Sequence, residues 1–224
     1  AYPKRLKEII NPPAVLYVDG ELPDIDNLVC IGMVGTRKAS EYAIKAAHIM
    51  AKGITEAGAL VVSGGALGID TYSHLGALAC GGKTVAVLGN GLGNNYLKAN
   101  EGLRNMIKQS GALVTEYQPN VPANRTSFPM RNRIISGLSL GILVVEAGVK
   151  SGSLITANLA IEQNRDVYAV PASIFSSDFS GTNKLISDGA RLAINPVNVV
   201  EAYENDYPTL DLSKIRTANE IVLD

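Results

Sequence analysis

The stretch Val29–Ala57, VCIGMVGTRKASEYAIKAAHIMAKGITEA, contains the unit from which the fold can be worked out. Its first six residues form a continuous apolar run, which predicts a strand covered on both faces, as in a parallel sheet. Apolar residues at helical spacing follow from Glu41 to Ala57, and the polar loop Gly35–Ser40 lies between the two. Strand, loop and helix in this order predict the first part of a βαβ crossover.

The same unit recurs along the chain. Further apolar runs are separated by stretches with helical spacing, so strands and helices alternate. The predicted strands are Val29–Val34, Leu60–Ser63, Thr84–Leu88, Ala112–Thr115, Gly141–Val145 and Asp166–Val170, and the predicted helices are Glu41–Ala57, Ile69–Cys80, Asn100–Gln109, Arg131–Leu138 and Ser153–Gln163. This alternation predicts an α/β fold with a doubly wound, mostly parallel sheet, that is, an extended Rossmann-like fold.

The two ends of the chain differ from this pattern. Residues 1–20 are predicted to be a leader with an added edge strand, because PPAVLYVDG contains prolines and one alternating apolar run. Residues 21–203 are predicted to form the Rossmann-like core. Residues 204–224 mix charge, a proline and weak periodicity, which predicts either a docked C-terminal extension or a linker to another module.

Composition limits the possible functions. The chain has 224 residues, 46% of them hydrophobic, a formal charge of −1 and a pI of about 6.2. A polyanion would therefore have to be held by a local basic patch and not by the field of the whole molecule. Cys30 and Cys80 lie in apolar or glycine-rich surroundings and are predicted to be structural thiols. The sequence shows no signal peptide and no apolar run of membrane-spanning length, so a cytoplasmic protein without a membrane partner is expected.

The segment Arg125–Ser139, RTSFPMRNRIISGLS, is the strongest candidate for a binding surface. It contains three arginines and a phenylalanine but no acidic residue. Arginines suit phosphates, an aromatic face suits an unstacked base, and Ser127 and Asn132 can form hydrogen bonds with either. This composition favours single-stranded nucleic acid as the ligand.

Loops at the carboxyl ends of the predicted strands supply further groups that suit an anion. In Gly35–Ser40, Arg37 fits a phosphate, but an ordinary turn with Ser40 as the N-cap of the next helix explains the loop equally well.

Two more of these loops contain candidate anion ligands. Ser63 and Gly64 open a glycine-rich loop that could cradle an anion, but its spacing is not that of a dinucleotide or nucleoside triphosphate site. Lys150 supplies a cation, and Ser151 lies where the next helix begins, a position that suits phosphate.

Other polar residues near the strand ends are predicted to be structural. Asp70 is predicted to cap a helix and to pair with His74 four residues later. Glu116 and Glu146 are interpreted as ion-pair partners that hold arginines such as Arg133. Because these loops supply no convincing nucleophile, carboxylate pair or metal cluster, we expect a binding protein without catalytic activity, cofactor or metal.

Five motifs in order resemble those of the DNA-processing protein A family, DprA or Smf. They are GTRKAS at 35–40, SGGALGIDTYSH at 63–74, GGKTVAVLGNGL at 81–92, FPMRNRIISGLS at 128–139 and KSGSLITA at 150–157. The resemblance extends from about Tyr2 to Val200. It implies a Rossmann-like core that forms a homodimer, binds single-stranded DNA and helps to load the RecA recombinase onto it, as in natural transformation.

The resemblance also implies which residues contact DNA. Carried onto matching positions, these are Arg37, Arg125, Phe128, Arg131, Asn132 and Lys150. Ser63, Gly64 and Ser151 from the strand-end loops complete the predicted DNA-binding set.

A competing hypothesis is a nucleotide-processing enzyme of the phosphoribohydrolase type. The glycine loops and Glu116 would suit such an enzyme. However, that group is marked by a PGGxGT signature, which this sequence does not contain.

Overall fold

The computed structural model describes residues 2–94, 96 and 98–215. Eight strands form one sheet: β1 Tyr17–Gly20, β2 Cys30–Val34, β3 Leu60–Ser63, β4 Thr84–Val87, β5 Ala112–Thr115, β6 Gly141–Val144, β7 Asp166–Ala169 and β8 Arg191–Leu192. The α-helices are α1 Lys4–Lys7, α2 Glu41–Glu56, α3 Ile69–Ala79, α4 Glu101–Ser110, α5 Ser127–Leu138, α6 Ser153–Glu162, α7 Ser180–Ser187 and α8 Val197–Val200.

The strands lie in the order β1-β5-β4-β3-β2-β6-β7-β8. Every neighbouring pair is parallel except β1 and β5, where Tyr17 lies opposite Thr115 in an antiparallel pair. The predicted α/β fold with a mostly parallel, doubly wound sheet is therefore confirmed. The predicted edge strand in the leader is β1.

Helices cover both faces of this sheet, as the continuous apolar strands require. In β2, Ile31 and Met33 pack with the apolar side of α2 on one face, whereas Cys30 and Val34 pack on the other face, with α5 and α6. Gly32 leaves room for the side chain of Ile142 on the adjacent strand β6, because a Cβ on Gly32 would clash with it. The free thiol of Cys30 is buried in this second layer, as expected of a structural cysteine.

Helix α5 begins at Ser127, four residues before the predicted start at Arg131. The observed helix therefore includes Pro129 in its first turn. Proline is tolerated in the first turn of a helix, where its missing N–H would have no intrahelical partner. The consequence is that Phe128 lies on a helix and not in a loop.

Described residues near both ends of the chain pack against the core. Leu6 and Ile9 of the leader are buried beside α5 and α6, and Leu210 and Ile215 are buried on the opposite face. Residues 204–215 thus behave as a docked extension, and the rest of the predicted extension, residues 216–224, lies outside the described residues. The division of the chain at residues 20 and 203 stays a proposal. In the described part of the chain, no helix combines the length and the apolar character needed to cross a membrane.

Candidate nucleic-acid interface

The centre of the sheet contains a topological switch point. The loop after β2 leads into α2 on one face, whereas the loop after β6, the adjacent strand, leads into α6 on the other face. Two loops that diverge in this way leave a crevice beyond the carboxyl ends of the strands, which is where ligands bind in open α/β sheets.

A cleft of about 640 Å³ occupies this position. Residues from the loops after β2 and β3, from α5 with the turn before it, and from the start of α6 line it. Six of the nine predicted DNA-binding residues are among them: Arg37, Arg125, Phe128, Arg131, Asn132 and Ser151. The structure therefore brings together residues that are up to 114 positions apart in the sequence (151 − 37 = 114).

The loop that contains Arg37 is held by Glu146. The buried Glu146 carboxylate accepts hydrogen bonds from the backbone N–H of Ser40, at 2.9 Å, and from its hydroxyl, at 3.2 Å. Thr36 N–H donates to the backbone carbonyl of Glu146 at 2.9 Å. Burial raises the pKa of this carboxyl, while the bonds from Ser40 oppose that effect. The prediction that Glu146 pairs with an arginine is wrong: among the described residues its carboxylate bonds to Ser40 through Oε2 and forms no ion pair.

Ser40 is the N-cap of α2, as predicted, since its hydroxyl accepts from the N–H of Ala43 at 3.3 Å. The two interpretations of the loop Gly35–Ser40, as a helix-capping turn and as an anion-binding loop, do not exclude each other. The cap and Glu146 fix the loop backbone, and the Arg37 side chain remains exposed at the cleft.

Phe128 forms an aromatic platform in the cleft. Its half-buried ring packs beside Gly89, where a Cβ would come within 2.8 Å of the ring. The Tyr96 ring lies 5.3 Å away between centroids, and the guanidinium carbon of Arg37 lies 5.0 Å from the Phe128 centroid. A cation at this distance from an aromatic ring is attracted by the ring quadrupole.

Arg125 lies in a turn fixed by Asn124. The Asn124 side-chain oxygen accepts from the backbone N–H groups of Thr126, at 2.9 Å, and Ser127, at 2.7 Å. The Ser127 hydroxyl donates to the Asn124 carbonyl at 2.9 Å and is buried, so it is not available to a ligand. The turn leaves the Arg125 side chain exposed at the rim of the cleft.

The prediction of Arg131 as a direct DNA contact does not fit its placement. Arg131 is 4% exposed, and its guanidinium donates to the carbonyl oxygens of Gly64, at 2.6 Å, and of Val87. Burial lowers its pKa to about 10, so it stays charged at neutral pH. It joins the ends of β3 and β4 beneath the cleft. Asn132 beside it is half-buried, lines the cleft and accepts from Arg131 Nε at 3.3 Å.

Ser63 and Gly64 also lie beneath the surface. Ser63 is fully buried and its hydroxyl donates to the Met33 carbonyl at 2.6 Å, so its side chain cannot reach a ligand. A Cβ on Gly64 would lie 2.6 Å from both Arg131 and Asp70 side chains. Glycine is needed here because the side chains of Arg131 and Asp70 meet across its backbone. The placement of Ser63 and Gly64 therefore does not support the prediction that they contact DNA directly.

The predicted pairing of Asp70 with His74 is wrong. Asp70 accepts from the Ala66 N–H at 3.2 Å, and Gly68, not Asp70, is the N-cap of α3. His74 is fully buried and its Nδ1 lies 2.8 Å from the Thr84 hydroxyl, which itself donates to a backbone carbonyl. Burial, with the nearby Arg131 charge, lowers the pKa of His74 to about 3.

Glu116 forms the predicted ion pair with Arg133. The two guanidinium nitrogens of Arg133 lie 3.0 and 2.6 Å from the two carboxylate oxygens. Such a bidentate pair is strong and geometrically specific. Glu116 is not among the residues that line the cleft, so the carboxylate on which the enzyme hypothesis depended is used elsewhere.

The start of α6 forms the opposite wall of the cleft. The hydroxyls of Ser151 and Ser153 lie 2.8 Å apart, and both residues line the cleft beside the exposed Gly152. The unpaired N–H groups at a helix start attract anions. Lys150 is exposed next to this wall but is not among the lining residues.

Arg104 of α4 was not among the residues predicted from the sequence. It is half-buried and lines a smaller cavity that continues from the cleft behind Phe128. Its spacing does indicate that it faces inward. Arg104 lies four residues after Asn100 and three before Ile107, so it shares a helix face with these two buried residues.

The chemistry of the cleft is that of anion binding. Arg37, Arg125 and Arg131 line it, and Asp70 is the one carboxylate among the described lining residues. Burial raises the pKa of Asp70, although the charge of Arg131 opposes this. Within residues 2–94, 96 and 98–215, histidine, cysteine and carboxylate side chains do not gather in threes as metal ligands would.

Comparison with known proteins gives consistent matches. A family model described as DNA recombination-mediator protein A matches residues 1–204. DNA processing protein DprA from Streptococcus pneumoniae is 40% identical over 203 residues, which cover 91% of this chain and 71% of that protein. Protein Smf from Escherichia coli is 40% identical over 201 residues, which cover 89% of this chain and 54% of that protein. This chain thus spans about half the length of the Escherichia coli relative.

Solved structures agree with these matches. The X-ray structure of the Streptococcus pneumoniae protein gives a TM-score of 0.85, covering 89% of this chain and 70% of that one. DNA processing protein A from Helicobacter pylori is 30% identical with a TM-score of 0.84, covering 92% and 94% of the two chains. That structure is described as giving insight into a unique single-stranded DNA binding mode.

Proposed function

Because the chain belongs to the DNA recombination-mediator protein A family, we propose that it is a recombination mediator that binds single-stranded DNA in the cleft at the switch point. The observation that carries the proposal is the meeting of Arg37, Arg125 and Phe128 in one cleft. Cations beside an aromatic platform are what a single strand with unstacked bases requires. The single-stranded DNA binding described for the Helicobacter pylori relative supports it.

In this proposal the exposed cations contact phosphates. Arg37, Arg125 and Lys150 are exposed around the cleft, and Ser151 adds a hydroxyl at the start of α6. Arginine can bind a phosphate bidentately, and the helix start adds partial positive charge. Binding is therefore electrostatic and independent of base sequence.

Phe128 would stack on a base. Its ring is half-buried, so packing fixes it while part of it remains open to the cleft. When a base stacks there, the exposed Arg37 side chain can turn from the ring to the adjacent phosphate. Asn132 on the next turn of α5 is within the same cleft and can form a hydrogen bond to the base or backbone.

The buried groups act indirectly. Arg131 holds the Gly64 carbonyl, and Glu146 holds the loop that contains Arg37. Their contribution is to fix the exposed contacts before the strand arrives, which reduces the entropy lost on binding.

We further propose the finer role that the family implies. The chain acts as a homodimer, presents the bound strand to the RecA recombinase, and does so in the cytoplasm during natural transformation. It needs no cofactor and performs no catalytic turnover. The family description, a recombination mediator, supports this role.

Titration of labelled oligo-dT, followed by fluorescence anisotropy at several salt concentrations, tests the binding step. Three to six neutralised phosphates give a slope of log affinity against log salt of roughly −2 to −4 for a single strand. Absent binding, or binding that does not depend on salt, would contradict the proposal.

A second assay tests the mediator step. RecA ATP hydrolysis is followed on single-stranded DNA already covered by a single-strand-binding protein. We expect this protein to shorten the lag, and an unchanged lag would reject the RecA role while leaving DNA binding in place.

A further inference from the structure

The β7 turn, residues 170–179, follows strand β7 and carries two neighbouring apolar side chains in water. Ile174 is 85% exposed and Phe175 is 92% exposed, more than any other large apolar side chain among the described residues. Single exposed apolar residues are common on protein surfaces, but neighbouring ones indicate a binding surface.

The backbone of the β7 turn is fixed by hydrogen bonds. The side-chain oxygen of Asn183 on α7 accepts from the N–H of Ala172 at 3.3 Å, and its amide nitrogen donates to the carbonyl of Ala172 at 3.1 Å. The Ser173 hydroxyl accepts from the N–H of Phe175 at 3.2 Å, and the Ser173 carbonyl accepts from the N–H of Ser176 at 3.0 Å. The turn therefore presents its apolar side chains on a preorganised backbone, which reduces the entropy lost on binding.

The β7 turn lies at the same edge of the sheet as the cleft. Strand β7 is parallel to its neighbour β6, so the loops that follow the two strands both lie at the carboxyl edge. The N–H of Gly181 donates to the carbonyl of Ala147 at 2.7 Å, and a Cβ on Gly148 would lie 3.6 Å from the carbonyl oxygen of Ser177. The turn thus packs against the loop that carries Lys150.

A second contact joins the β7 turn to the loop that contains Arg37. The hydroxyl of Tyr42, in the first turn of α2, donates to the carbonyl of Pro171 at 3.0 Å. Lys38, which follows Arg37 in this loop, is exposed, and so is Lys150 in the loop before α6. These two loops connect the cleft with the β7 turn, so the surface between them carries cations that can bind phosphates.

The tip of the β7 turn suits a base better than a charged ligand. Residues 172–177, ASIFSS, include no charged side chain. The next residue, Asp178, lies at the base of the turn. Burial raises the pKa of Glu146, and the charge of Asp178 adds to this effect, which places the two carboxylates near each other. The tip therefore presents an aromatic ring, while the neighbouring loops present the cations.

The strand order gives the distance between the two aromatic sites. Phe128 packs beside Gly89, which follows β4, whereas Phe175 lies in the turn after β7. Strands β3, β2 and β6 lie between β4 and β7, so at about 4.8 Å from strand to strand the two sites are about 19 Å apart. A single strand stacked at about 3.4 Å per nucleotide needs about six nucleotides for this distance, and an extended strand needs fewer.

We propose that Phe175 is a second base-stacking platform, so that one bound single strand runs from Phe128, past Arg37 and Lys150, to the β7 turn. Single-strand-binding surfaces combine a cationic path for the backbone with aromatic rings for successive bases, and this arrangement provides both. The inference rests on the proposed single-stranded DNA binding and extends its path beyond the cleft.

Tryptophan fluorescence tests the contact directly. The chain contains no tryptophan, so Phe175→Trp introduces a single reporter whose emission a stacked base quenches. We expect oligo-dT of about 15 nucleotides to quench Phe175→Trp and Phe128→Trp with the same midpoint, because one strand contacts both. Ile10→Trp is the matched control and should keep its emission. Ile10 is 71% exposed, and its neighbour Ile9 packs beside Gly137, at the opposite end of α5 from the cleft.

Phe175→Ala measures the contribution of the second platform. We expect oligo-dT binding to weaken roughly five- to tenfold in the anisotropy titration, which is the lower part of the range for base–aromatic stacking. Phe175→Tyr retains the ring and should keep the wild-type affinity. Circular dichroism confirms that each variant is folded.

The outcomes separate this inference from the proposed function. Unquenched Phe175→Trp, or wild-type affinity in Phe175→Ala, would overturn the second platform if oligo-dT still binds. Failure of wild-type protein to bind oligo-dT would instead reject the proposed function. A protein partner is the other possible occupant of an apolar tip. A change of oligomeric state in Phe175→Ala, measured by light scattering, would assign the β7 turn to an interface between copies of the chain and would also overturn the proposal.

Discussion

Lowering the pH should destabilise the fold through His74. The side chain is fully buried on α3, and its pKa is lowered from 6.5 to about 3 by burial and by the nearby charge of Arg131. The unfolded chain therefore binds a proton below pH 6.5 that the folded chain does not bind until about pH 3. Stability from this residue is present at neutral pH and is lost as the pH falls through this window.

The size of the effect follows from the two pKa values of His74. At pH 5 the folded side chain is still neutral, whereas the unfolded one is almost fully protonated, which stabilises the unfolded state by about 2 kcal/mol. At pH 7 the same difference is only about 0.2 kcal/mol. The free energy of unfolding should therefore fall by about 2 kcal/mol between these two pH values through His74 alone.

Urea unfolding at pH 7 and pH 5, with His74→Asn as the reference, measures this contribution. The asparagine amide can still donate to the Thr84 hydroxyl, as His74 Nδ1 does, but it does not titrate. Asp70 and Glu146, whose pKa values are raised, act in the opposite direction but are present in both proteins. Parallel pH dependences in wild type and variant would refute the reasoning.

Three further predictions concern the cleft and its support. Phe128→Ala should weaken oligo-dT binding by about 1–3 kcal/mol through lost stacking, and unchanged affinity in the anisotropy titration would exclude Phe128 as a base platform. Arg37→Gln should make the salt slope shallower by about 0.7, one phosphate contact. The exposed Arg191→Gln on β8 is its control, and an equal effect of both would rule out a specific contact. Gly64→Ala should destabilise the fold by about 1–3 kcal/mol, because a Cβ there meets two buried side chains at 2.6 Å. Gly102→Ala, where a Cβ meets nothing within 4 Å, should not destabilise it, and equal melting temperatures for the two variants would contradict this.

The strands could be predicted closely because both their faces are buried. β3 and β5 begin and end at the predicted residues, and the other predicted strands differ by a residue at one end. β8 could not be predicted, since it has two exposed residues and no apolar run. The start of α5 was predicted four residues late, because the first turn contains the exposed Pro129 and Met130 and so adds no apolar residue at helical spacing to the buried face.

The composition of the site was easier to predict than the role of each residue. Arg37 and Arg131 have the same chemistry, but one is exposed and the other is buried beneath the cleft. Helical spacing did contain this information, because Arg131, Ile134, Ile135 and Leu138 lie on one buried face of α5. On α4, the spacing of Arg104 from the buried Asn100 and Ile107 likewise indicates that it faces inward. The partner of Glu146 could not be predicted, since its bonds to Ser40 join two loops 106 residues apart.

Photo-cross-linking with peptide mapping tests the central claim most directly. Oligo-dT that contains 5-iodouracil is irradiated in complex with the whole chain, and the tryptic peptides that carry nucleotide are identified by mass spectrometry. If the cleft at the switch point is the DNA site, cross-links should concentrate in the peptide of residues 126–131, which contains Phe128, and should be lost in Phe128→Ala. Cross-links concentrated instead around the groove lined by Glu21, Asp24 and Thr209 would contradict the account.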